Sequence, residues 1–163
     1  MNATFSARLR VLLVGGLSVA AVVAPAHRAY AEEARKSPGE RAVEYRQALM
    51  TVLGSNFAAL IEVAEGKAPY NAADVGKRAE RVALLAQWAD EAFPPESNGV
   101  ANTKAKPEIW KQQADFQKDM QSLIDRSAAL AAAAKLGDQA KLKPAAFDAA
   151  RSCKACHDDF RAQ

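Results

Sequence analysis

The sequence is poor in cysteine and histidine, with only two of each among its 163 residues. Both cysteines and one histidine stand together in Cys153-Lys154-Ala155-Cys156-His157, and the other histidine is His27. A structural zinc site needs four ligands, usually Cys and His, so this supply argues against one. A thioredoxin-like redox pair would follow a strand in a βαβ pattern, and no such pattern surrounds Cys153.

The C-x-x-C-H spacing is instead typical of covalent attachment of a c-type haem. On a helix, positions i, i+3 and i+4 share one face, so two thiols can reach the haem vinyl groups while the imidazole coordinates the iron. We therefore predict one haem c per chain. Its covalent anchors are Cys153 and Cys156, and its axial iron ligand is His157.

The chain also lacks an apolar run at its amino end that is long enough for a membrane anchor. Spanning a bilayer takes ~20 apolar residues, and the run that begins at Val11 is shorter and is broken by Pro25. Two arginines precede this run and small residues follow it up to Ala31, which is the pattern of a secretory signal peptide. We predict that residues 1–31 are cleaved off after Ala31 and that the domain 32–163 is exported to the periplasm of a Gram-negative cell, without membrane insertion.

An excess of charge is missing as well. The 22 Lys and Arg residues include Arg8, Arg10 and Arg28 of the predicted leader, which leaves 19 against 19 Asp and Glu. The basic pI of 8.9 therefore belongs to the precursor, and we expect no nucleic-acid partner. The 132 residues that remain of 163 after removal of 31 are enough for one domain.

Strand patterns are absent, because the mature sequence has no alternating β-branched runs. Four segments instead repeat apolar residues every three or four positions, which predicts an all-α protein. The predicted helices cover roughly 38–65, 72–92, 107–137 and a last segment that begins at Asp138 or at Pro144, where the proline could start or kink the helix. Short connections within the first pair and the second pair predict an antiparallel up-down-up-down four-helix bundle enclosing the haem.

Two side chains stand out on the apolar seam of the first predicted helix. Arg46 is a permanent charge that needs a partner. A haem propionate would be one, and a snorkelling side chain at the bundle end is the alternative. Met50 could be a sixth iron ligand or a gap-filling core residue, whereas Leu53 on the same stripe can coordinate nothing and would restrict access.

Several segments resemble the cytochrome c′ family, over essentially the whole mature length. The matching pieces are Tyr45-Arg46-Gln47-Ala48-Leu49-Met50, Gly66-Lys67-Ala68-Pro69-Tyr70, Phe93-Pro94, Lys106-Pro107-Glu108-Ile109-Trp110, and Cys153 to His157 with Phe160-Arg161. Together they are specific, whereas the haem motif alone is not. Cytochromes c′ are among the known up-down bundles, so this resemblance and the predicted architecture agree.

The resemblance implies a five-coordinate, largely high-spin haem that binds nitric oxide and carbon monoxide, in a protein that usually forms homodimers through its first two helices. A six-coordinate branch of the family places its methionine ligand a turn further along, where this chain has Leu53. The implied haem-contacting residues besides the motif are Arg46 and Gln47 at the propionates, Lys104 and Lys106 at the haem edge, Met50, Leu53 and Phe93 in the pocket, and Arg161 beside His157.

We therefore expect a gas-binding haem protein that takes part in one-electron transfer. The alternative is a six-coordinate, low-spin electron-transfer cytochrome with Met50 as second axial ligand. Around Met50 the helix offers apolar side chains, with Thr51 as the one hydrogen-bond donor. We do not expect an enzyme such as a peroxidase, because His157 is already the iron ligand and no distal acid–base residue is evident.

Overall fold

The computed structural model describes residues 35–163, which form helices, 3-10 turns and connecting segments. The helices are α1 (Pro38–Ala64), α2 (Ala72–Trp88), the single turn α3 (Glu108–Lys111), α4 (Gln113–Lys135) and α5 (Gln139–Phe160). Two 3-10 turns, Asp90–Ala92 and Pro95–Ser97, lie between α2 and α3. The predicted all-α class is confirmed. The predicted signal peptide and its cleavage after Ala31 lie outside the described residues.

Local side-chain caps explain where the long helices begin. A capping box opens α1: the Ser37 hydroxyl accepts from the Glu40 amide at 3.2 Å, and the Glu40 carboxylate accepts from the Ser37 amide at 2.7 Å. Asn71 caps α2 and Asp138 caps α5 through their side-chain oxygens. Beyond the end of α1, Gly66 takes a positive φ of 77°, which a glycine adopts without steric cost.

The four long helices are antiparallel to their neighbours. The Arg46 guanidinium, near the start of α1, donates to the Ala92 carbonyl just after α2 at 2.9 Å. The Gln117 amide, near the start of α4, donates to Asp90 at 2.7 Å, and the Gln139 amide at the start of α5 reaches the carbonyl of Val63 at the end of α1. The predicted up-down-up-down four-helix bundle is therefore confirmed.

Two boundaries differ from the sequence-based expectation, and the start of the last helix, which the sequence left open, is decided. The second helix leaves the α conformation at Trp88 and continues as a 3-10 turn to Ala92. The third is interrupted at Gln112, whose φ of −113° and ψ of 51° are not helical. Pro144 lies inside α5 and does not start it, so the Ala140 carbonyl lacks its usual donor four residues on.

The apolar interior divides into two clusters. The packed cluster lies toward the α1–α2 and α4–α5 turns and consists of Leu60, Val63, Ala64, Val75, Ala79, Val82, Leu130, Ala131, Ala134, Leu142, Ala146 and Ala149. The cysteine-end cluster lies toward the other end and consists of Leu49, Ala86, Ala89, Ala92, Ile109, Phe116, Met120, Leu123 and Phe160.

By length and composition alone, α1 would also suffice to cross a membrane, and it is the one such helix in residues 35–163. Its side chains contribute to both apolar clusters, with Leu60 in the packed cluster and Leu49 in the cysteine-end cluster. A core helix of a bundle meets the same length and composition test, because it carries a long apolar face.

Candidate functional site

Cys153 and Cys156 lie on the carboxyl-terminal half of α5, three residues apart and therefore on one face. Both are free, half-buried thiols. They pack against the cysteine-end cluster, together with the half-buried side chains of Met50 and Phe93. The predicted anchor pair therefore borders the apolar interior between the helices.

The surroundings of the two thiols disfavour a negative charge. Desolvation, with further contributions led by the nearby Asp119 carboxylate, raises the pKa of Cys156 to about 12. Desolvation also raises the pKa of Cys153. A redox-active cysteine pair of the thioredoxin type relies on a lowered thiol pKa, and these surroundings act in the opposite direction. A thioether sulfur carries no charge, and it fits these surroundings.

His157 follows the pair and belongs to the last turn of α5, where its residue surface is exposed. Its pKa is lowered, first by desolvation of the ring and then by the Arg161 guanidinium. The neutral imidazole is the form that binds a metal. The backbone carbonyl of His157 accepts from the Arg161 amide at 3.1 Å, which keeps these two residues in one turn.

Arg46 is buried, with 5% of its surface exposed. Its guanidinium donates to the Ala92 carbonyl at 2.9 Å, the Ser97 hydroxyl at 3.2 Å and the Thr103 hydroxyl at 2.8 Å. It also lies over the Phe93 ring, 4.7 Å from the ring centre. The side chain is therefore not snorkelling into solvent, and all three of these acceptors are uncharged.

Desolvation lowers the pKa of Arg46. A buried guanidinium with five N–H donors and uncharged partners has donors left for a carboxylate. A haem propionate would supply the missing negative charge through short, charge-assisted hydrogen bonds. The site thus combines two neutral thiols, an imidazole and a buried cation, and this donor set fits a haem.

The segment 102–106 connects α1 with the end of α5. The Gln47 amide donates to the Asn102 carbonyl at 2.6 Å. The Lys106 ammonium donates hydrogen bonds to the backbone carbonyls of Asp158 and Asp159. Lys104 is exposed. The predicted edge residues Lys104 and Lys106 therefore flank the turn that carries His157.

Around Met50 the buried stripe of α1 is shifted from the predicted one. Leu49 is buried in the cysteine-end cluster, and Met50 lies half-buried at its margin. Leu53 is buried with 6% of its surface exposed, in neither cluster. Spacings of three and four residues join the buried side chains of Arg46, Leu49 and Leu53, so the buried stripe passes through Leu49 and leaves Met50 at its edge.

An aromatic stack that the sequence did not predict lies beside the cysteines. The rings of Phe93 and Phe116 meet edge to face at 4.9 Å between centres, and those of Phe116 and Phe160 do so at 5.4 Å. The Trp110 indole donates to the Phe93 carbonyl at 3.2 Å. Helical periodicity places Phe116 and Phe160 on the apolar faces of their helices, but periodicity alone cannot show that two such faces meet.

Comparison with known proteins identifies the family. A profile of the family described as Cytochrome C′ matches residues 41–161. The chain belongs to the cytochrome c′ family. This membership confirms the resemblance noted from the sequence segments, and it implies a covalently bound haem c, to which the two cysteines of the chain correspond.

A cytochrome c′ of Alcaligenes xylosoxydans is 40% identical over 122 residues, covering 75% of this chain and 94% of that protein. The nitric oxide complex of a leucine-to-isoleucine mutant of cytochrome c′ from Alcaligenes xylosoxidans superposes with a TM-score of 0.72 at 39% identity, covering 77% of this chain and 97% of that one. The cytochrome c′ structure from Rubrivivax gelatinosus gives a TM-score of 0.74 at 33% identity, covering 78% and 98%. The bundle described above is thus the family fold.

Proposed function

We propose that the mature protein is a periplasmic haem c protein whose iron is five-coordinate, binds nitric oxide and carbon monoxide, and takes part in one-electron transfer. One observation carries this proposal: Cys153, Cys156 and His157 share the last turns of α5, where both thiols border an apolar cluster that also contacts Met50. The nitric oxide complex of the Alcaligenes relative supports the choice of ligand.

Each residue of the site has a proposed task. Cys153 and Cys156 anchor the haem covalently, and His157 holds the iron from one side. Arg46 and Gln47 lie at the propionates, where the guanidinium balances their charge. The bound haem supplies the iron that takes up the gas and the electron, and the protein sets access, charge and polarity around it.

The apolar lining on the α1 side favours nitric oxide over dioxygen. Bound dioxygen gains from a nearby hydrogen-bond donor. Thr51 was the one candidate donor near Met50, but it is exposed, and its hydroxyl donates to the Gln47 carbonyl at 2.8 Å. Because Met50 and Leu53 offer no hydrogen-bond donor, this side of the pocket selects between the gases by crowding.

The visible spectrum of the reduced, purified protein tests the coordination number. A broad high-spin spectrum that changes on addition of nitric oxide or carbon monoxide is the expected result. Sharp, split bands that carbon monoxide leaves unchanged would contradict the proposal. They would establish the alternative, a low-spin electron carrier with Met50 as second axial ligand, because Met50 lies at the margin of the same cluster.

We propose a homodimer formed through α1 and α2. Of the five large apolar side chains exposed in the described residues, four lie on these two helices, namely Tyr45, Val52, Leu84 and Trp88. Covering such side chains in a second copy would remove them from water. Val52→Lys is expected to give a monomer in sedimentation velocity, whereas Leu136→Lys, on the turn after α4, should leave the dimer intact. A wild-type monomer at micromolar concentration would contradict this assembly.

A further inference from the structure

The last turn of α5 is held by the loop that precedes α3. The last four carbonyls of a helix have no partner within the helix. In α5 the Arg161 amide closes the last helical hydrogen bond on the His157 carbonyl, so the unpartnered carbonyls begin at Asp158, directly after His157. Any group that fixes this turn therefore fixes the backbone of the proposed iron ligand.

The carbonyls of residues 157–160 all accept a hydrogen bond in the structure. That of His157 accepts from the Arg161 amide at 3.1 Å. Those of Asp158 and Asp159 accept from the Lys106 ammonium at 3.1 and 2.9 Å. That of Phe160 accepts from the Lys106 amide at 2.9 Å. Lys106 alone therefore satisfies three of the four, with its side chain and its backbone.

The loop strand that carries Lys106 is paired with the chain end. Ala105 and Arg161 form an antiparallel bridge, and the Ala162 amide donates to the Lys104 carbonyl at 2.8 Å. The opposite end of the strand is tied to α1, because the Thr103 hydroxyl accepts from Arg46. Segment 103–106 thus joins the buried cation of α1 to the turn that bears His157.

We propose that Lys106 is a positioning residue for His157. Its ammonium lies at the carboxyl end of the α5 dipole, where a cation is favoured, and its two hydrogen bonds prevent the last turn from fraying. The imidazole is thereby held in one orientation toward the iron. This inference rests on the proposed haem function, and it adds a residue outside the C-x-x-C-H motif that positions the proposed iron ligand.

Lys104 provides a matched control on the same strand. Its side chain is exposed, and its hydrogen bond to the chain end uses the backbone carbonyl only. Lys104→Met and Lys106→Met therefore remove the same charge from neighbouring positions, but only Lys106→Met uncovers the α5 carbonyls. An effect of net charge would be shared by both variants, whereas an effect of positioning belongs to Lys106 alone.

The experiment uses the haem-loaded protein and two measurements. Amide hydrogen exchange at Arg161 and Ala162 should be faster by about threefold or more in Lys106→Met, as expected for local opening of a helix end, and unchanged in Lys104→Met. The iron–histidine stretching band of the ferrous protein in resonance Raman should broaden in Lys106→Met only, and Lys106→Arg should restore it. If Lys106→Met does not fold, Lys106→Gln, which can donate to one carbonyl, takes its place.

Equal exchange rates and equal bands in Lys106→Met and Lys104→Met would overturn the positioning role. Failure of Lys106→Arg to restore the band would do so as well. A failure of the proposed function would give a different result. In that case the wild-type protein itself would be purified without covalent haem, or it would show no iron–histidine band.

Discussion

The packed cluster and the cysteine-end cluster belong to one bundle, but they are completed by different means. In the packed cluster, Leu60, Leu130 and Leu142 are fully buried among other side chains of the bundle, so protein side chains alone fill the space. The cysteine-end cluster is bordered by side chains that remain half-exposed, Met50 and the two thiols among them. It also adjoins Phe93, which carries a buried guanidinium over its ring.

This difference between the two clusters indicates which end of the bundle the proposed cofactor would occupy. An interior that needs nothing further tolerates only apolar, volume-matched side chains. An interior edged by neutral sulfur, aromatic rings and an uncompensated cation is suited to a flat apolar group with acidic substituents. Substitutions at one end should therefore change stability, and substitutions at the other end should change the cofactor and its ligands.

The largest effect is expected from removal of both anchors. In the double variant Cys153→Ala/Cys156→Ala no thioether can form, so acidified organic solvent should extract all haem, whereas it should extract none from the wild type. Haem absorbance after denaturing electrophoresis measures this. A chain that keeps covalent haem without either cysteine would remove the basis of the comparison between the two ends.

A matched pair of core substitutions tests the contrast directly. Leu60→Ala, in the packed cluster, should lower the free energy of unfolding by roughly 2–5 kcal/mol, since it leaves a cavity. Met50→Ala should cost less stability, because Met50 is half-exposed, but it should speed carbon monoxide binding by opening the crowded side of the pocket. Denaturant unfolding and flash photolysis measure the two effects. Equal carbon monoxide rates in Met50→Ala and wild type would exclude the steric role.

Arg46→Leu should act on both stability and redox properties. It removes the donor of three hydrogen bonds to loop acceptors, which should lower the free energy of unfolding by roughly 1–3 kcal/mol. Loss of a positive charge near the haem should also lower the reduction potential, because a nearby cation favours the ferrous form. Arg81→Leu, an exposed arginine of α2, is the control. A potential equal to that of the control would contradict placement of Arg46 at a propionate.

The smallest effect is expected at Asp119, beside the cysteines. Desolvation, and next the Asp159 carboxylate, raise the pKa of Asp119. Because the folded protein then binds this proton more tightly than the unfolded chain, stability falls as the pH rises from the unfolded pKa through the folded one. Asp119→Asn has no carboxyl to lose this proton, so it should have a higher free energy of unfolding than the wild type at pH values above the folded-state pKa of Asp119. Urea unfolding at about pH 4 and about pH 7 measures it, with Asp125→Asn, an exposed acid of α4, as control.

The sequence predicted most of the fold because its signals are local. The capping box at Ser37, the cap at Asp138 and the glycine after α1 act within a few residues of the helix ends they define. The break at Gln112 has no proline or glycine to announce it. The role of Pro144 stayed open in the sequence, and the structure places it far enough into α5 to lose one hydrogen bond without ending the helix.

The candidate site was predictable to the extent that its residues are neighbours in sequence. Cys153, Cys156 and His157 need only a helix to share a face, so the amino-acid order by itself determined this motif. Apolar periodicity and short connections likewise determined the all-α class and the antiparallel order of the helices. The tertiary structure alone decided that Arg46 is buried on loop acceptors 46 to 57 residues away, and that Lys106 closes the end of the helix bearing His157. Such contacts depend on how segments that are distant in the sequence pack together. The local periodicity of apolar residues within one helix does not specify this packing.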